Sequence, residues 1–337
     1  FNSPDEVYGN LFTAVQTSGI FSDYKTFPDC TPKYSPKKIL ALYEQQRQKP
    51  DFKLKSFVLS NFYLPDSSHV NYKTDTTIHI NRHIDSLWNV LTLTPAKSAP
   101  NTSLIALPYP YIVPGGRFRE MFYWDSYFIM LGLEASGRND LLTSMMANFN
   151  HLIDTLGYIP NGNRTYFLSR SQPPFYAMMV DMMAKKDSSL LTKYLPYLER
   201  EYEFWMNGSN NIKNNYSAYK RVVRLQDGEL LNSYWDDDPK PRPEAYGKDI
   251  EQSKNMDAET ATNLYRSIRA ACESGWDFST RWNKVEGSIS TIYTTAIVPV
   301  DLNCLMYFLE QTIARAYLQK GMKKYACLLY TSPSPRD

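Results

Sequence analysis

The sequence predicts an all-α protein built from helix pairs joined by loops. Three kinds of signal carry that reading: apolar residues at helical spacing, capping residues where helices should begin, and glycines where they should stop. Ser35-Pro36 offers an N-cap followed by proline at the first helical position, and Ile39, Leu40 and Tyr43 continue at helical spacing. Ile80, Ile84, Leu87, Trp88 and Leu91 form an i, i+4, i+7, i+8, i+11 stripe. Further helices are expected near 120–134, 140–156, 174–185, 191–206, 257–272 and 301–320. In the fourth of these, Leu195, Leu198, Tyr202 and Trp205 make a broad apolar face, and Gly132, Gly157 and Gly208 fall where C-terminal stops are expected.

Between about 207 and 256 the pattern becomes irregular. Asp227-Gly228 between apolar stretches predicts a short hairpin within 221–231, and Asp236, Asp237 and Asp238 read as an acidic, solvated turn. A loop region this long inside a helical protein is usually functional. There is no strict internal repeat. Helical hairpins with long loops are compatible with an α/α barrel, and the pattern alone allows an irregular bundle equally well.

A chain of 337 residues is long enough for a substantial core, and 43% hydrophobic with 21% charged residues is an ordinary globular composition. A formal charge of +2 gives no electrostatic reason to expect nucleic acid or an anionic membrane as partner. No run reaches the 18 or so apolar residues of a membrane helix. The chain opens on Phe1 with no signal-like segment, so either a signal has been removed or the start is missing. At the other end, residues 327–337 break the helical pattern and read as the translation of a sequencing adaptor; they are expected to be a non-native tail on a 1–326 body. Cys30, Cys272 and Cys304 then remain, without the spacing of a disulfide framework or a zinc site. His79 and His83 stand at i, i+4 but lack a third ligand nearby, so no metal site is expected.

Four segments carry chemistry. Pro114-Gly-Gly-Arg-Phe-Arg-Glu-Met-Phe-Tyr-Trp-Asp-Ser-Tyr-Phe128 sets arginines and carboxylates among aromatic rings, a mixture that suits neither a buried core nor a solvated face. Hydrogen-bonding groups framed by flat apolar faces suit a sugar, which has C–H faces and hydroxyl edges. Ile159-Pro-Asn-Gly-Asn-Arg-Thr-Tyr-Phe-Leu-Ser-Arg-Ser-Gln-Pro-Pro-Phe175 mixes turn residues with amide and guanidinium donors. Pro241-Arg-Pro-Glu244 places an arginine and a glutamate in a stiff loop. Glu273-Ser-Gly-Trp-Asp-Phe-Ser-Thr-Arg-Trp282 puts Asp277 between Trp276 and Phe278, after a glycine that permits close approach of the backbone. Such apolar flanks can raise a carboxyl pKa, as a general acid requires. By itself, Asp277 serves equally well as a turn cap after the preceding helix.

All four segments, in this order and at natural spacing, resemble the signature blocks of the trehalases of glycoside hydrolase family 37. The similarity runs from about Thr26 to about Arg315. The resemblance implies an incomplete (α/α)6 toroid of the six-hairpin type whose long loops build the site. It implies inverting hydrolysis of α,α-trehalose to two glucose molecules, without a cofactor, by a monomer whose partner is the disaccharide. A periplasmic or secreted location is favoured over the cytoplasm. Asp277 matches the family's general acid. Arg117, Phe118, Trp124, Asp125, Asn161, Arg170, Ser171, Gln172, Arg242, Pro243, Glu244 and Gly275 match positions that contact substrate. Phe122 stands where many relatives have tyrosine. The family's general base is a glutamate beyond residue 326, as is a tryptophan-rich second signature, so the chain as given is expected to be inactive and to leave apolar helix faces uncovered. Two other readings stay open: an inverting glycosidase for another glucoside, and a sugar-binding protein without catalysis.

Overall fold

The computed structural model describes residues 1–65, 75–95 and 100–330, the last four as backbone alone. Twelve α-helices lie among the described residues: α1 (Pro4–Ser18), α2 (Pro36–Gln46), α3 (Leu54–Asn61), α4 (Ile80–Leu91), α5 (Tyr123–Ala135), α6 (Asn139–Leu156), α7 (Tyr176–Ala184), α8 (Ser189–Trp205), α9 (Tyr246–Ser253), α10 (Ala258–Glu273), α11 (Val300–Gln319) and α12 (Lys323–Tyr330). The expected all-α class is observed. The predicted hairpin is present as Val222–Arg224 paired with Leu230–Asn232 around Gly228, whose φ of +95° only glycine adopts freely, and Ser217–Tyr219 adds a third antiparallel strand. The region read as irregular therefore also holds a small sheet and α9.

Several local signals act as read. Ser35 Oγ accepts from the Lys38 amide at 3.4 Å at the head of α2, and Gly157 ends α6 in the left-handed conformation. Gly132 does not stop a helix. It lies inside α5 because Trp88 packs on it: a Cβ there would meet that indole at 2.9 Å. Gly208 sits three residues past the end of α8. The α4 stripe is only partly used, since Trp88 and Leu91 pack against the core while Ile80 and Ile84 stay exposed. Backbone helix continues to Tyr330, past the break expected at 327, and residues 331–337 of the expected tail lie outside the described residues.

Two apolar cores form among the described residues. The first gathers Leu11, Phe12 and Val15 of α1 with Ile39 of α2 and Phe57 and Val58 of α3. The second is larger and includes Met145 and Phe149 of α6, Tyr176 and Val180 of α7, Leu198 and Trp205 of α8 and Ile313 of α11. Within it α5 packs on α6 and α7, α7 on α8, and α11 on both α7 and α8. α11 buries Leu302, Met306, Leu309 and Ile313 and leaves Val300, Tyr307 and Leu318 exposed. The first core is tied to the 241–244 loop: Gln16 Nε2 of α1 donates to the Pro243 carbonyl at 2.7 Å. Among the described residues no helix is long and apolar enough to cross a membrane.

One core carboxyl makes the stability depend on pH. Glu201 of α8 is fully enclosed; Tyr123 Oη donates to its Oε1, and its Oε2 has no hydrogen-bond partner. Burial pushes its carboxyl pKa up to about 8. The folded protein thus keeps a proton that the unfolded chain releases, so stability falls as pH rises from the ordinary glutamate range through about 8. Glu201→Gln, which copies the protonated form, is expected to flatten that fall. Thermal melts at pH 5 and pH 8 measure it, with the difference in Tm shrinking by several degrees, roughly 2–4 °C per kcal/mol removed. An unchanged difference would clear Glu201 of the effect.

Candidate active site

Asp277 sits at the tip of a tight turn just beyond α10, closed by the Ser279 amide donating to the Trp276 carbonyl at 2.8 Å. The turn closes through its backbone, so a capping role is not needed to account for Asp277. The residue is open to solvent on one side yet enclosed enough that loss of water pushes its carboxyl pKa up, against the pull of the Arg242 and Arg170 guanidiniums. Trp276 and Phe278 flank it, each close to half exposed.

Gly275 brings this turn against α5. Its φ is +70°, and a Cβ on it would lie 2.5 Å from the Trp124 indole. Phe128, Phe175 and Trp276 surround that indole, with ring centroids 6.0, 6.2 and 6.3 Å away. The first and fourth sequence blocks therefore meet at Trp124. Gln172 of the second block joins them, its Oε1 accepting from the Trp124 amide at 3.1 Å. Asp125, the next residue, has its carboxyl pKa pushed up by burial and, secondarily, by the charge of Asp277. Gly275→Ala is expected to cost about 1–3 kcal/mol of stability, from the backbone strain and the indole contact together. It should also lower sugar affinity measurably. Denaturant unfolding with titration of the sugar checks both, and a neutral result on both would show that the close approach is unimportant.

Beside the turn lies a network of buried charges. Arg170 Nη2 donates to Glu244 Oε1 at 2.8 Å, and Arg170 Nη1 is 3.6 Å from Asp236 Oδ2. Asp236 is wholly buried and paired with Arg269 Nε at 3.0 Å, which corrects its reading as a solvated turn. Arg242 forks onto Asp249, with Nε to Oδ2 at 2.9 Å and Nη2 to Oδ1 at 2.6 Å, and its Nη1 reaches Cys272 Sγ at 3.2 Å. The Phe278 ring lies under the Arg242 guanidinium, 5.1 Å from the centroid. Burial would raise the Glu244 carboxyl, but Arg170, Arg242 and Arg269 outweigh it and hold the pKa low. One carboxyl is thus pushed toward the protonated form and its neighbour held ionised, the division that acid–base chemistry requires. Arg170 Nε and Nη1 and Glu244 Oε2 are buried without hydrogen-bond partners, so the network has unspent polar capacity.

The 114–122 segment approaches from another side. Gly115 and Phe118 bond each other across a tight turn, with the Arg117 guanidinium 5.8 Å from the exposed Phe118 ring. Phe118, Phe122 and Phe167 run ring to ring at 5.8 and 5.6 Å, and Arg170 sits over Phe167 at 5.2 Å. The expectation that the charges of this run avoid burial fails at Glu120. That carboxylate is fully buried between Lys25 Nζ at 2.9 Å and Arg164 Nε at 2.8 Å.

The remaining predicted site residues are tied to neighbouring segments. Asn161 is buried, with its amide donating to the Arg170 carbonyl at 3.0 Å and its carbonyl accepting from Tyr123 at 3.2 Å. Ser171 Oγ donates to the Ile159 carbonyl at 2.6 Å, and Pro243 is buried with its carbonyl taken by Gln16. Asp249 and Arg269 are not singled out by the sequence. The signal that could have found Arg269 is its place between Ile268 and Ala270 on the buried face of α10, where an arginine demands an acidic partner. Among the described residues no group of three or more His, Cys, Asp or Glu side chains is placed to hold a metal ion. A cavity of about 670 Å³ by α2 and α3, lined in part by Tyr34, Lys38, Phe52 and Lys53, shares no residue with this site.

The chain belongs to the trehalase family, whose profile matches residues 19–328. It is 49% identical over 319 residues to the periplasmic trehalases of Escherichia coli O139:H28 (strain E24377A / ETEC) and of Escherichia coli O8 (strain IAI1), covering 94% of this chain and 56% of each relative. The chain therefore spans little more than half the length of these relatives. Among solved structures, the neutral trehalase Nth1 from Saccharomyces cerevisiae matches at 25% identity with a TM-score of 0.49, over 66% of this chain and 46% of that one.

Proposed function

We propose that this chain is part of an inverting α,α-trehalose hydrolase, residues 1–326 belonging to its (α/α)6 catalytic domain, and that the protein works in the periplasm like the relatives named above. The observation that carries the reading is the turn at Asp277. Its carboxyl is open to a ligand and pushed toward the protonated state by burial, beside Arg170, Arg242 and Glu244, and Gly275 of the same turn lies against the Trp124 indole. In the reaction, Asp277 gives its proton to the oxygen joining the two glucose units. A second carboxylate, from chain beyond residue 326, takes a proton from water as that water attacks the anomeric carbon from the opposite face. Inverting geometry leaves room for the water by holding the two carboxyls roughly 6.5–9.5 Å apart. Arg117, Arg170 and Arg242 offer donors to vicinal hydroxyls, Asp125 and Glu244 accept from them, and Trp124 provides a flat apolar face. Asn161, Ser171, Gln172, Pro243, Gly275 and the Phe118 ring shape the walls.

The test is substrate choice by the full-length protein. Glucose release from trehalose, with none above background from maltose, is expected. Hydrolysis of maltose at a comparable rate would favour a broader glucosidase, and trehalose binding without turnover would favour a sugar-binding protein.

A further inference from the structure

The last residue of α10 is Glu273, a fully buried carboxylate four positions ahead of Asp277. Its partners come from three separate stretches of chain. Oε1 accepts from the Ser171 amide at 2.8 Å, and Oε2 accepts from the Trp235 amide at 2.8 Å. Arg221, in the turn between Ser217–Tyr219 and Val222–Arg224 of the small sheet, forks onto both oxygens, with Nη2 to Oε1 at 2.5 Å and Nε at 3.0 and 3.1 Å. Arg221 Nη2 also donates to the Trp235 carbonyl at 2.9 Å, which closes the cluster. Ser171 lies between Arg170 and Gln172, and Trp235 immediately precedes Asp236. The groups around Asp277 are thus referenced to one carboxylate.

We propose that Glu273 is a positioning residue, fixing the Arg170–Gln172 segment and the Trp235–Asp236 segment relative to the turn that carries Asp277. The inference rests on the reading of Asp277 as the acid. Only an ionised carboxylate suits the place, because two oxygens with about four lone pairs must meet donors arriving from three directions. A glutamine would aim its own N–H groups at one set of those donors, and an aspartate is one methylene short. The ion pair is buried and fully bonded, so breaking one side leaves the Arg221 charge without a partner. Small displacements matter at such a site, where about 1 Å of misplacement can cost on the order of 10²-fold in rate.

The experiment uses the full-length protein and two variants, Glu273→Gln and Arg221→Lys. Trehalose turnover is measured well below each variant's Tm, alongside amide hydrogen exchange of the peptides holding Ser171 and Trp235. For Glu273→Gln we expect kcat/KM to fall by about 10²-fold with KM raised, and both amides to lose protection while distant helices keep theirs. Arg221→Lys keeps the charge but loses the fork, so a smaller fall, about tenfold, and partial loss of protection are expected. Kinetic constants within threefold of wild type in folded Glu273→Gln overturn the proposal. If that variant does not fold, wild-type kinetics in Arg221→Lys overturn it instead. Wild-type protein inactive on trehalose would refute the proposed function, whereas the exchange pattern would still decide whether Glu273 ties the two segments.

Discussion

Replacing Asp277 by asparagine in the full-length protein is expected to lower trehalose turnover by on the order of 10³-fold while leaving sugar affinity within about tenfold. The two halves of this expectation have different origins. Asparagine matches aspartic acid in shape and in its ability to donate a hydrogen bond, so contacts to the bound sugar survive. It cannot release a proton to a departing oxygen, so the chemical step loses its acid. Stability should hold, because burial already disfavours the charged form of Asp277 and the neutral amide avoids that penalty. The Arg170 and Arg242 charges remain matched through Glu244 and Asp249. Wild-type activity should fall on the alkaline side as pH passes the raised pKa of Asp277, since an acid works only while protonated. Steady-state kinetics across pH, with calorimetric titration of trehalose into the variant, measure both halves. Near-normal turnover would remove Asp277 from the mechanism. A parallel collapse of binding would mean that its role is to hold the sugar.

How much of this could be read beforehand depends on the range of the interaction. Helices announced by periodic apolar residues and local caps, such as α2 from Ser35-Pro36 and α6 stopping at Gly157, were legible because their determinants lie within a few residues. So was the hairpin at Asp227-Gly228. Gly132 was misread because its reason is the Trp88 indole, more than forty residues away in sequence. The site divides the same way. Asp277, Trp124 and Arg170 stood out through their company in four blocks, whereas nothing local distinguishes the buried Asp236 from the neighbouring Asp237, which lies near the surface. Burial of a charge is decided by its partner. For Asp236 that partner is Arg269, on a helix thirty-three positions on.

Glu120 is the clearest case of such a long-range decision, and its removal is expected to have the largest effect on stability. Its carboxylate lies with Asp29 between two cations, Lys25 and Arg164. Lys25 Nζ bonds both carboxylates, Arg164 Nε is 2.8 Å from Glu120 and 3.5 Å from Asp29, and Tyr166 Oη donates to Asp29 at 2.7 Å. Two positive and two negative charges balance in a place with almost no water. Glu120→Ala leaves one cation uncompensated there, a loss of about 3–5 kcal/mol. Because the cluster joins the segment after α1 to the loop bearing Arg117 and Phe118, sugar affinity should weaken as well. A second substitution separates charge imbalance from lost packing. Adding Lys25→Met restores neutrality, so the double variant should recover at least about 1 kcal/mol relative to Glu120→Ala, with a coupling of that sign between the two sites. Denaturant unfolding of the wild type, both single variants and the double variant measures the cycle. A loss below about 1 kcal/mol for Glu120→Ala, or no recovery in the double variant, would show that water or a rearranged Arg164 relieves the charge. Because all four charged residues of the cluster are buried, the structure leaves no such route, and the order of stabilities should be wild type, then the double variant, then Glu120→Ala.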